Sequence, residues 1–73
     1  MRFFTYVTRK YVDDPTMKGV LARSMKKDKD NFPKTRISHR VVRAYFVQSG
    51  ASERCLDAFE ECWEEWKQCE RNK

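Results

Sequence analysis

Ser52-Glu53-Arg54-Cys55-Leu56-Asp57-Ala58-Phe59-Glu60-Glu61-Cys62-Trp63-Glu64-Glu65-Trp66-Lys67-Gln68-Cys69-Glu70-Arg71 is the stretch whose pattern decides the fold. Projected at about 100° per residue, Cys55, Leu56, Phe59, Cys62, Trp63, Trp66 and Cys69 fall on one arc. Asp57, Glu60, Glu61, Glu64 and Glu65 fall on the other. Ser52 is a good N-cap, and Glu53 in the first turn suits the helix dipole. The stretch therefore predicts one long amphipathic helix that needs partners for its aromatic side.

Three shorter helices precede it. Phe3, Val7 and Tyr11 recur at i, i+4 and i+8 and predict a helix near 2–12. Asp13-Asp14-Pro15 punctuates, with Asp14 as N-cap and Pro15 as first residue of a second helix near 15–28. Met17, Val20, Leu21 and Met25 line that helix, and Gly19 weakens it by about 1 kcal/mol relative to Ala. Phe32 precedes Pro33, is pushed out of the α region, and suits an anchor that tucks back. The third helix runs from Ser38, an N-cap, to Gly50, a C-terminal αL cap. Its inner side reads Ile37, Val41, Ala44, Tyr45 and Gln48, with Val42 adjoining. Arg36, Arg40 and Arg43 then form a stripe on the opposite side.

These segments predict an all-α fold, a small four-helix single-domain bundle over residues 1–73. The expected core is Phe3, Val7, Leu21, Phe32, Val41, Tyr45, Leu56, Phe59, Trp63 and Trp66. A chain of 73 residues buries only a thin core. Its ten aromatics, five Phe, three Tyr and two Trp, supply bulk. Gly and Pro number only two each, which favours continuous helices over short strands joined by turns.

Three stretches together resemble one family. Phe3-Phe4-Thr5-Tyr6 opens the chain, Asn31-Phe32-Pro33-Lys34-Thr35 forms the middle loop, and Phe59-Glu60-Glu61-Cys62-Trp63-Glu64-Glu65-Trp66-Lys67 closes it. In this order and spacing they resemble the YozE SAM-like family of small bacterial proteins. The resemblance implies a SAM-like helical fold and no particular activity. Asp30 stands where relatives tend to carry His. The third helix is basic here, whereas it is more acidic in relatives.

The formal charge is +5, and it is polarised. Residues 1–51 hold 12 Lys and Arg against 4 Asp and Glu, and residues 52–73 hold 4 against 7. Lys26, Lys27, Lys29, Lys34, Arg36, Arg40 and Arg43 crowd the end of the second helix, the loop and the third helix. The nucleic-acid-binding candidates are Lys26, Lys27, Lys34, Arg36, Arg40 and Arg43, because phosphate contacts need Lys and Arg tips projecting together. An ordinary solvated face explains the same residues. Arg36 and Arg40 sit near the positive end of the third helix dipole, against local preference, and this favours a partner.

The other chemistries fit poorly. Trp63, Trp66 and Phe59 would serve as stacking platforms for bases, but core packing explains them better. Three Cys and His39 make a permissible zinc set, but the thiols lie two helical turns apart and no CxxC pair exists. Spaced by about 10.5 Å along a helix, no two of Cys55, Cys62 and Cys69 can bridge. No glycine-rich turn offers an oxyanion hole, and no P-loop or dinucleotide fingerprint is present. The expectation is a non-enzyme without metal or cofactor. No apolar run approaches the roughly 20 residues that span a bilayer, and the N-terminal stretch has no signal-peptide pattern, so the expected compartment is the cytosol. The expected partner is nucleic acid. The alternative is a protein, including a second copy bound through the acidic arc of the last helix.

Overall fold

A computed structural model describes residues 1–33 and 37–72. Four helices follow one another: α1 Phe3–Tyr11, α2 Met17–Lys27, α3 His39–Gln48 and α4 Glu53–Arg71. No strand occurs among the described residues. Helix α4 packs against α1, α2 and α3, and α1 also packs on α2. The amphipathic arc of the longest helix is therefore the surface on which the others assemble.

The caps follow the expected chemistry at three of the helix ends. The Ser38 side chain accepts from the Val41 amide at 3.2 Å, and the Ser52 side chain accepts from the Cys55 amide at 3.3 Å. Each satisfies one of the four orphan amides of a helix start. Helix α3 stops at Gly50, whose φ is +80°. The Ala51 amide donates to the Phe46 carbonyl at 3.0 Å and the Gly50 amide to the Val47 carbonyl at 3.1 Å. That pair of bonds is a Schellman stop, and it needs the left-handed conformation glycine tolerates.

The start of α2 differs from expectation. Met17 is its first residue and Thr16 flanks it, so Pro15 stands outside the helix. The Asp14 carboxylate closes a local turn, accepting from the Thr16 amide at 2.7 Å and from the Thr16 hydroxyl. The short side chain of Asp14 satisfies Thr16 two residues on and postpones the helix. Arg23 then reaches back, donating to the Val12 carbonyl at 3.0 Å and to the Asp14 carbonyl at 3.2 Å. Gly19 is packed under this turn. A Cβ there would lie 1.7 Å from the Asp14 carbonyl oxygen.

The core gathers Phe3, Val7, Leu21, Met25, Phe32, Val42, Phe46, Phe59, Cys62 and Trp63, all buried. Phe3 is its hub, with ring centroids 5.9 Å from Phe59, 5.0 Å from Trp63 and 5.7 Å from Trp66. Such tilted and edge-on aromatic contacts add about 0.5–1.5 kcal/mol each beyond area burial. Phe32 is the anchor expected of it, packed on Phe4, Tyr45 and Phe46. Tyr45, Leu56 and Trp66 are half-buried at the rim.

Val41 is the exception among the expected core residues. It is 44% exposed, while Val42 and Phe46 are buried. The helix is rotated from the expected orientation. Val42, Tyr45 and Phe46 face inward, and Val41, Ala44 and Gln48 face out. Two apolar registers compete along this segment, and the one that buries the large Phe46 ring removes more apolar surface from water.

Candidate nucleic-acid interface

The rotation of α3 fixes where its cations emerge. Arg40 and Arg43 are exposed, as the sequence suggests, although Ala44 and Gln48 join them outside. Arg40, Arg43, Ala44, Val47 and Gln48 border one shallow depression along this face, with His39 at its edge. Val47 is 50% exposed.

Lys26 and Lys27 close the last turn of α2, where cations complement the negative end of its dipole. Lys29 follows in the exit turn. The hydroxyl of Tyr45 donates to the Asp28 carboxylate, and Lys27 lines the same small depression as Tyr45. That contact fixes which side of α3 Lys27 occupies. Arg40 and Arg43 lie about 140° and 160° around the helix from Tyr45. The expected strip is thus split, with Lys27 on one flank of α3 and the arginines on its outer face and far flank. Lys34 and Arg36 lie outside the described residues.

Pairing separates the cations further. Arg43 Nε stands 3.7 Å from Glu60 Oε2. His39 Nε2 contacts Glu60 Oε1, with its ring 5.3 Å from Phe59 and 5.6 Å from Trp63. Among the described residues, Lys26, Lys27, Lys29 and Arg40 have no ion pair or hydrogen-bond partner for their side chains. Among the described residues of α2, its exit turn and α3, these four are the free cations.

The acidic arc of α4 is not a uniform solvated stripe. Glu65 receives the Lys18 ammonium at 2.6 Å, the Tyr11 hydroxyl, and the Tyr6 hydroxyl at 3.4 Å, with Lys10 Nζ at 3.5 Å. Burial works against its charge, but the Lys18 and Tyr11 hydrogen bonds hold its carboxyl below the ordinary range. Its hydrogen bond raises Lys18, against the opposing effect of burial. Sequence reasoning missed this cluster because its donors come from α1 and α2. The one signal available was the concentration of Tyr6, Lys10, Tyr11 and Lys18 on segments bound to meet the last helix.

The cysteines remain free, with Cys62 buried, Cys55 half-buried and Cys69 exposed. Burial pushes the Cys62 thiol up to about 12. No group of three His, Cys, Asp or Glu side chains is placed to hold a metal ion among the described residues. No helix among them is long and apolar enough to cross a membrane.

The family described as the YozE SAM-like fold matches residues 2–68. The chain belongs to the YozE SAM-like family. No curated protein and no solved structure matches it. All four helices lie largely or wholly within the matched span, and the core residues Phe3, Phe32 and Trp63 lie inside it. Three resemblance stretches contribute directly: Phe3 and Phe4 from the opening, Phe32 from the loop, and Phe59, Trp63 and Trp66 from the last helix.

Proposed function

We propose that this YozE SAM-like chain is a small non-enzymatic module that binds nucleic-acid phosphates. Lys26, Lys27 and Arg40 make the principal contacts, with Lys29 beside them and Arg43 contributing from the Glu60 side. Lys34 and Arg36 belong to the same reading by sequence. The observation that carries it is unequal pairing. Glu60 and Glu65 are engaged by the chain's own cations, whereas Lys26, Lys27, Lys29 and Arg40 stand without a carboxylate. A net charge of +5 reinforces the attraction. The reading puts the work of the chain in the bacterial cytosol, in keeping with three unbridged thiols.

The test is a fluorescence titration of labelled duplex and single-stranded DNA with the wild type and K26A/K27A. The double variant should bind about tenfold more weakly, since each phosphate contact contributes counterion release. Equal binding by both proteins, or none by the wild type at low salt, contradicts the reading.

A protein partner is the second reading, favoured by one feature. A groove of about 300 Å³ between α2 and the α3–α4 junction is lined by Met17, Val20, Tyr45, Phe46, Ala51 and Cys55. Sedimentation at high protein concentration separates self-association from a strict monomer.

A further inference from the structure

We infer that the outer face of α3 reads base pairs in the major groove of B-form DNA, so that binding is sequence-selective. The inference rests on the nucleic-acid reading above and goes beyond phosphate contact. It starts from the longest acid-free run of the chain, although α1 and α2 also carry no acid within their helices. No Asp or Glu occurs between Asp30 and Glu53, so α3 and both its flanks carry no acid of their own. Exposed helix faces of soluble domains ordinarily mix both signs of charge.

The exposed face has a second relevant property. It carries Arg40, Val41, Ala44, Val47 and Gln48 along a helix of 10 residues, about 15 Å long. Single exposed apolar side chains are ordinary on a helix surface. Set between an arginine and a glutamine, they also suit a groove reader. Arg pairs bidentately with guanine, Gln with adenine, and small apolar side chains meet the thymine methyl. Ala44 and Val47 are also small enough to let the helix axis approach the base edges.

The division of the basic residues then acquires a use. A helix seated in the major groove, about 12 Å wide, has a phosphate strand on each side. Lys27 lies on the Tyr45 flank of α3, at the end of α2 that also carries Lys26, and Arg43 lies toward the opposite flank, where Glu60 meets it. Cations on both flanks with uncharged and hydrogen-bonding side chains between them match that cross-section. The Arg43 pair with Glu60, at 3.7 Å, is beyond hydrogen-bond length and leaves the guanidinium donors available. A-form RNA does not fit, because its major groove is too narrow for side chains to read. The occupant is therefore a DNA duplex.

The experiment is selection of bound sequences from a pool of random DNA duplexes by the full chain, repeated with R40A, Q48A and K26A/K27A. All three variants change exposed side chains, and circular dichroism confirms their helices. The wild type should enrich a short motif, with each read base pair contributing roughly 5- to 150-fold discrimination. R40A and Q48A should each relax the motif at one position, while K26A/K27A should lower affinity for every duplex and leave the motif unchanged. Equal retention of all duplexes by the wild type overturns base reading and leaves phosphate binding standing. A motif that persists unaltered in both R40A and Q48A overturns the assignment to α3. Retention of no duplex at about 50 mM salt overturns both proposals.

Discussion

Glu65 of α4 receives the Lys18 ammonium of α2 at 2.6 Å and, on its other oxygen, the Tyr11 hydroxyl of α1. One carboxylate thus ties three helices at a place where the apolar core thins toward solvent. E65A removes the acceptor and leaves the Tyr11 hydroxyl and two ammonium groups without it. Because the site is partly exposed, the expected loss is about 1–2 kcal/mol. In a domain of this size each kcal/mol lowers the midpoint of thermal unfolding by about 4–8 °C. A melting curve checks it.

The same carboxylate predicts the acid limb of the stability profile. Glu65 titrates below its ordinary value in the folded chain, so the unfolded chain takes up the proton first as pH falls. The stability it contributes is complete above the ordinary glutamate range and is lost as pH falls through the folded value. E65Q should flatten this acid limb. Asp14 and Asp28 are also lowered, each chiefly by side-chain hydrogen bonds, from Thr16 and from Tyr45 respectively, and keep a residual slope in the variant. Urea unfolding of both proteins between about pH 3 and 7 measures the difference.

Neighbouring valines in α3 should behave oppositely. V42A empties a buried site and should cost about 2 kcal/mol. V41A changes a side chain that is 44% exposed and should stay within about 0.5 kcal/mol. Chemical denaturation of the pair reports the rotation of the helix directly.

How far the sequence led is visible at these two positions. Helix boundaries were legible where a local signal is strong: Ser38, Ser52 and Gly50 each cap as their chemistry dictates. The face of α3 was not, because Val41-Val42 serves either of two inward registers and only tertiary packing of Phe46 chooses between them. That choice moved Ala44 and Gln48 into the candidate interface. Exposure of Arg40 and Arg43 was legible, whereas the Glu60 pairing of Arg43 was not, since the partner is remote in sequence. Gly19 reads locally as a weak point of α2, yet it is where the chain turn passes closest.

Gly19 therefore supplies a prediction of sign. Helix propensity alone favours G19A by about 1 kcal/mol. The new Cβ would lie 1.7 Å from the Asp14 carbonyl oxygen, a backbone atom that the Arg23 clamp holds. Displacing that turn should make the net effect destabilising by about 1–3 kcal/mol. A lowered urea midpoint is the expected result.

The proposed DNA binding by this chain depends most on the cations beside and upon α3. The direct measurement is the dependence of duplex-DNA affinity on salt between about 50 and 200 mM. With Lys26, Lys27, Lys29 and, from the opposite flank, Arg43 each neutralising one phosphate, the slope of log affinity against log salt should be about −3 to −4, and K26A/K27A should reduce its magnitude by about 2. A slope near zero, or one the double variant leaves unchanged, would contradict the account.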